Sequence, residues 1–141
     1  MVTLKVLLVD DNDELRGSLA SFLKKQQGVE IIGEAANGVR AIEQAEKLHP
    51  DLVLMDQDMP ECDGFQATRE IKSKIPNTRV VILSMHSGTT YRLMAWRSAA
   101  DGFIDKGSMK KDLATLMLDE RRRLGEGAAV VAAPAFSAPV R

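Results

Sequence analysis

The chain has 141 residues, is 45% hydrophobic and 28% charged, and carries a formal net charge of -1. That suits one soluble domain with its own core, and it offers no bulk basicity for a nucleic-acid partner. The single cysteine, Cys62, excludes a disulfide framework or a cysteine-based zinc site within one chain, and no stretch reads as a membrane span or signal peptide, so a cytoplasmic protein is expected.

Leu4 to Val9 is apolar except for Lys5 and runs into Asp10-Asp11-Asn12-Asp13. This predicts a first strand with acidic residues at its carboxyl end, followed by a helix capped by Asn12 or Asp13. Leu15, Leu19, Phe22 and Leu23 recur through that helix at helical spacing, and Gly28 is a stop signal. Val29 to Gly33 reads as the second strand. Asn37-Gly38 signals a turn, and Ala41, Ile42, Ala45 and Leu48 form the stripe of a second helix. His49-Pro50 ends it, because the residue before proline is pushed out of helical geometry.

Leu52 to Met55 is an uninterrupted apolar run that ends at Asp56, and Pro60 rules out a continuing central strand. Such a run fits a third strand buried on both faces. A helix from Gly64 to Lys74 follows and is broken by Pro76-Asn77. Arg79 to Ser84 is the fourth strand, built on Val80-Val-Ile-Leu83 and ending in a hydroxyl. Next come a helix over Thr89 to Ala99, a turn at Asp101-Gly102 and a short fifth strand, Phe103 to Lys106, ending in a lysine. Ser108 is placed to cap a last helix with Leu113, Leu116, Met117 and Leu124 on one face. From Gly125 onward periodicity and most charge disappear, so 1–124 reads as the folded domain and 125–141 as a flexible tail or truncated linker.

Strands alternating with helices predict an α/β fold with a five-stranded parallel sheet, right-handed crossovers and helices on both faces. Four strands end in functional groups: Asp10 and Asp11, Asp56, Ser84, and Lys106. All would lie along the carboxyl edge of the sheet, where ligands of open α/β folds bind. Taken singly, Asp56 reads as a turn or capping aspartate, the acidic run as a cap-rich loop and Lys106 as a solvated charge. Their common register favours a site. Clustered carboxylates need a cation to stay ionised together, and oxygen ligands suit Mg²⁺, with Asp11 and Asp56 as main ligands and Asp10 adding charge or holding a water. An aspartate can attack phosphorus. Lys106 would then neutralise the phosphoryl group, and Ser84 would hydrogen-bond one of its oxygens.

The ordered set Asp10-Asp11, Leu52-Val-Leu-Met-Asp56, Met59-Pro60, Asp63-Gly64, Val81-Ile-Leu-Ser84, Ala100-Asp-Gly-Phe103 and Lys106 resembles the receiver domain of bacterial two-component response regulators, over about residues 3–124. The resemblance implies the flavodoxin-like strand order 2-1-3-4-5. It implies Asp56 as phosphoacceptor and Lys106 as phosphate-binding lysine. It adds Asp11 as a direct Mg²⁺ ligand, Asp10 acting through water, and the backbone carbonyl of Asp58 as the further protein ligand. Ser84 and Phe103 become the switch hydroxyl and switch aromatic, which together alter the surface of helix 4, strand 5 and helix 5. The implied donor is a histidine kinase or phosphotransfer protein. The implied output is a downstream protein, or an output domain absent from this chain, with a homodimer on phosphorylation, no membrane and no direct nucleic acid.

Three positions depart from the family pattern. Gly107 follows the lysine where many members have a proline with a cis bond. Met85 follows the switch serine, where its bulk would limit access to the phosphoryl group. Asp58 would bring a second carboxylate near Asp56. Two other readings stand beside the receiver: an aspartyl-phosphate phosphatase of haloacid-dehalogenase type using Asp56 and Asp58, and a degenerate receiver that binds partners without phosphate. His86 and Cys62 read as bystanders. Arg121-Arg122-Arg123 reads as a solvated helix end, and Trp96 as either a packing residue or a partner anchor.

Overall fold

The structure, a computed structural model, describes residues 2–86 and 88–126. In chain order the elements are β1 (Leu4–Val9), α1 (Asp13–Lys24), β2 (Val29–Ala35), α2 (Gly38–Leu48), β3 (Leu52–Asp56), α3 (Gly64–Lys74), β4 (Arg79–Ser84), α4 (Thr89–Arg97), β5 (Gly102–Asp105) and α5 (Met109–Glu126). A short 3-10 turn over Lys106–Ser108 joins β5 to α5. The strands are all parallel and follow the order β2-β1-β3-β4-β5. This is the expected flavodoxin-like order.

Why the central strands are apolar at every position is visible in how their side chains divide. Leu7, Val9, Val53, Met55, Val80, Ile82 and Phe103 pack on one face with residues of α2, α3 and α4. Val6, Leu8, Leu52, Leu54, Val81, Leu83 and Ile104 pack on the other with α1 and α5. Successive residues of a strand point to opposite faces, so a strand covered on both faces has no polar positions to spare.

Helix starts follow the side-chain caps. Asn12, Asn37 and Asp63 accept hydrogen bonds from the backbone N–H groups of Leu15, Arg40 and Gln66, opening α1, α2 and α3. Asn37, read from sequence only as a turn residue, is thus an N-cap. His49 ends α2 with φ of 49°, in the left-handed region. At the amino edge of the sheet an ion network ties α5 to β4: Glu120, 4% exposed, accepts from Arg79 Nε at 2.8 Å. Asp101 meets Arg79 at 3.5 Å and Lys72 at 2.9 Å. Buried charges persist only when paired in this way.

Several expectations are corrected. Leu15, which shares the helical spacing of Leu19, Phe22 and Leu23, is 52% exposed in the first turn of α1. Leu124 is also exposed. β2 runs on to Ala35 and α4 stops at Arg97. β5 ends at Asp105, so Lys106 opens the following turn and is not the last strand residue. α5 continues to Glu126, past the expected domain end at 124. The rest of the expected tail, 127–141, lies outside the described residues. Among the described residues no helix is long and apolar enough to cross a membrane.

Two glycines give opposite expectations. A Cβ on Gly64 would come within 2.3 Å of the Asp56 carbonyl and 2.8 Å of Gln57 Cα, backbone atoms that cannot rotate away. A Cβ on Gly17, inside α1, would meet nothing within 4 Å. Gly64→Ala should therefore lose about 1–3 kcal/mol of stability to overpacking, while Gly17→Ala should gain about 0.5–1 kcal/mol from helix propensity. Urea unfolding of both variants checks this; equal effects would contradict the packing described for α3.

Candidate functional site

The register of the sheet builds the site. Val9 pairs with Met55, so Asp10, the next residue, lies beside Asp56. Asp56 pairs with Leu83, which brings Ser84 to the adjacent strand end. Ser84 pairs with Asp105, and Lys106 follows it. β5 is two strands from β3, about 10 Å at ordinary strand spacing. A long side chain is needed to cross that distance, and Lys106 crosses it: its Nζ lies 2.8 Å from Asp56 Oδ1 and 3.5 Å from Asp10 Oδ2.

Asp10 and Asp56 are 5% and 3% exposed, whereas Asp11 stands in solvent at the mouth of the site. One carboxylate oxygen from each of the three lies within 4.8 Å of the others. Arg16 fixes the loop that carries the acidic pair. Its guanidinium donates to the Asp10 carbonyl at 2.6 Å, to Asp13 at 2.8 Å and to Glu34 at 3.0 Å. The Asp10 carboxylate itself accepts from the Asn12 backbone N–H at 2.9 Å. Sequence reasoning passed over Arg16; its place one turn into the helix after an acidic run is the signal that would have found it.

Burial drives the electrostatics of Asp56. It raises the carboxyl and Asp10 pushes it further up, while Lys106 and the Asp58 backbone N–H pull it down; the net is a rise from an ordinary 3.8 to about 6. Burial would lower Lys106, but the hydrogen bond and charge of Asp56, together with Asp10, outweigh it and leave the ammonium raised. Lys106 therefore stays protonated. The arrangement is a recessed carboxylate with a fixed cation on one side and two further carboxylates on the other. The oxygen-only donor set fits a hard divalent cation such as Mg²⁺.

The remaining expected residues are placed as follows. Ser84 is buried, and its Oγ donates to Gln57 Oε1 at 3.3 Å and accepts from the His86 N–H at 2.9 Å. Gln57 was not anticipated; a residue directly after a strand-terminal aspartate carries no distinctive sequence signal. Asp58 offers its backbone N–H to Asp56, while its side chain is exposed and its carboxylate lies outside the three-aspartate cluster. Phe103 is buried, and the Arg92 guanidinium sits 4.9 Å from its ring centroid. The His86 ring stacks on Tyr91 with centroids 4.4 Å apart. Met85, next to Ser84, is 74% exposed. Trp96 is likewise exposed in good part and does not belong to the core. The peptide bond between Lys106 and Gly107 is trans, and the Gly107 N–H donates to Asp105 Oδ1 at 2.7 Å.

Comparison with known proteins agrees with this geometry. The family model of the response regulator receiver domain matches residues 6–118. The response regulator protein VraR of Staphylococcus epidermidis is 38% identical over 129 residues, covering 92% of this chain and 60% of its own length. That of Staphylococcus aureus is 36% identical over the same length and coverage. The chain thus spans about 60% of the length of the curated relatives it matches. Among solved structures, a LuxR-family two-component response regulator from Aurantimonas superposes with a TM-score of 0.81 at 28% identity, covering 86% of each chain. The response regulator domain of Thermotoga maritima CheB gives 0.75 at 30% identity, covering 89% of this chain and 98% of that one. With its sheet order, its edge of aspartates and lysine, and these matches, the chain belongs to the response regulator receiver family of two-component systems.

Proposed function

We propose that the chain accepts a phosphoryl group on Asp56 from the phosphohistidine of a histidine kinase or phosphotransfer protein, with Mg²⁺ as cofactor. The observation that carries this reading is the Asp56 carboxylate, 3% exposed, facing Lys106 at 2.8 Å and sharing a 4.8 Å cluster with Asp10 and Asp11. An Asp56 oxygen attacks phosphorus; the new O–P bond forms as the N–P bond of the donor breaks. Lys106, already protonated and in place, balances the negative oxygens of the group in transfer without reorganising. Asp11 and Asp56 would hold the metal, with Asp10 acting through water and the Asp58 carbonyl as a further ligand. The chemistry Mg²⁺ would supply there is positive charge for the phosphoryl oxygens, in addition to that of Lys106. Ser84 supplies a hydrogen bond to a phosphoryl oxygen.

The domain then works as a switch. Ser84 moves toward the phosphoryl group, Phe103 follows, and the surface formed by α4, β5 and α5 changes partner, which is a population shift between two states. The readout is a downstream protein, an output domain on a longer chain, or a second copy of this one. Direct nucleic-acid contact is not part of this reading, in keeping with the net charge of -1. The phosphatase alternative loses support because it needs the Asp58 carboxylate near the phosphorus, and that carboxylate lies outside the cluster.

Three expectations follow from the site. Incubation with Mg²⁺ and acetyl phosphate or phosphoramidate should add one phosphoryl group to the intact mass, acid-stable, base-labile and absent from Asp56→Asn. Lys106→Ala should slow the labelling about 100-fold, as for loss of one preorganised donor. No adduct on folded protein with either donor would leave the phosphate-independent binding module as the reading, and turnover of a generic phosphate ester would leave the phosphatase.

The second concerns pH. Native Asp56 keeps its proton up to about 6, while the unfolded carboxyl loses it near 3.8. Between those values the native state binds more protons, so its stability falls as pH rises. Asp56→Asn should therefore gain stability over the parent protein by about 2–3 kcal/mol on going from pH 4 to pH 8. A gap that stays constant across that range would refute the raised carboxyl.

The third concerns metal. Added Mg²⁺ should raise the melting temperature at pH 8, corresponding to about 1–3 kcal/mol near saturation. It should do so far less at pH 5, where protonated Asp56 competes, and less again in Asp11→Asn. Differential scanning calorimetry reads both effects.

A further inference from the structure

Ser84 already has its hydroxyl committed. Among the described residues its Oγ donates to Gln57 Oε1 at 3.3 Å and accepts from the His86 N–H at 2.9 Å. A serine hydroxyl carries one proton. While Gln57 receives it, none is left for an oxygen bound to Asp56. Nor is Gln57 loosely held. Its backbone N–H donates to the Leu83 carbonyl at 3.0 Å, and its carbonyl accepts from the Gly64 N–H at 3.1 Å. β4 and the start of α3 therefore clamp its backbone, which leaves the side chain anchored beside the end of β4.

We propose that Gln57 is a positioning residue that latches Ser84 in the unphosphorylated arrangement, acting on the phosphoryl group only through the Ser84 proton. This rests on the phosphoacceptor reading of Asp56. Engagement of a phosphoryl oxygen requires the hydroxyl to give up Gln57, so the amide sets part of the bias toward the resting state. The same Oγ accepts from His86, whose ring stacks on Tyr91 at 4.4 Å and 11°. A swing of the hydroxyl therefore pulls on His86 and, through the stacked ring, on Tyr91 of α4. The latch thus lies between the phosphorylation site and the helix expected to change partners.

The test uses the full chain and beryllium fluoride with Mg²⁺, a non-covalent mimic of the phosphoryl group, titrated while the His86 amide is followed by NMR. Gln57→Met keeps the length of the side chain and leaves only a weak thioether acceptor; Gln57→Leu removes the acceptor altogether. Removing one neutral hydrogen bond that holds the resting state should tighten apparent binding roughly two- to tenfold. In a Ser84→Ala background the same substitution should change nothing, because the proton it acts through is gone. Unchanged binding in both variants, or an equal change with and without Ser84, would overturn the latch while leaving the phosphoacceptor reading intact. A parent protein that takes neither beryllium fluoride nor a phosphoryl adduct would instead overturn the phosphoacceptor reading, and the latch with it.

Discussion

The site depends on a carboxylate kept where water would not keep it. Asp56 is nearly inaccessible and sits beside a second buried carboxylate, Asp10. Burial and like charge both resist ionisation. What makes the arrangement tenable in the described structure is Lys106, whose ammonium contacts both carboxylates, at 2.8 and 3.5 Å. Removing that cation would leave buried negative charge without a partner, a situation folded proteins rarely tolerate. Burial, offset only in part by Lys106 and reinforced by the Asp10 charge, keeps the Asp56 carboxyl high, and the crowding of carboxylates makes the cluster a receptive place for a further cation.

The sheet acts as a ruler for this cluster. Parallel pairing carries each strand to the same edge, and the register brings residues distant in sequence to neighbouring strand ends. Lys106 and Asp56 are 50 residues apart along the chain, yet their side chains meet at 2.8 Å. The supporting residues serve that placement. Arg16 ties down the acidic loop through the Asp10 carbonyl. Gly64 lets α3 begin against the Asp56 carbonyl, where a side chain would clash. At the far edge, Glu120, Arg79, Asp101 and Lys72 satisfy one another and hold α5 and β4 together.

Much of this was legible in the residues. The apolar runs before Asp10, Asp56 and Ser84 announced strands covered on two faces, because only a doubly buried strand dispenses with polar positions. Proline, glycine and capping residues marked the breaks. Less legible were boundaries and exposure. Leu15 matches the helical period of its neighbours but is exposed, and periodicity does not record how far along a helix its packing partner extends. Lys106 followed the strand pattern by one residue too many, since a turn of three residues has no period of its own. Asn37 was read as a turn and is a cap, two uses of the same side-chain acceptor.

The sequence by itself determined the layer architecture, the approximate span of each element, and the chemical groups at the strand ends, because period, punctuation and residue type are local properties. Only the tertiary structure decided which groups meet. It set the reach of Lys106 across β4 to Asp56 and placed the Asp58 carboxylate outside the cluster. It also joined the Ser84 hydroxyl to Gln57, a residue with no sequence signal of its own. The reason is physical: a hydrogen bond depends on tenths of an ångström between strands brought side by side by their pairing, and no local pattern encodes that distance.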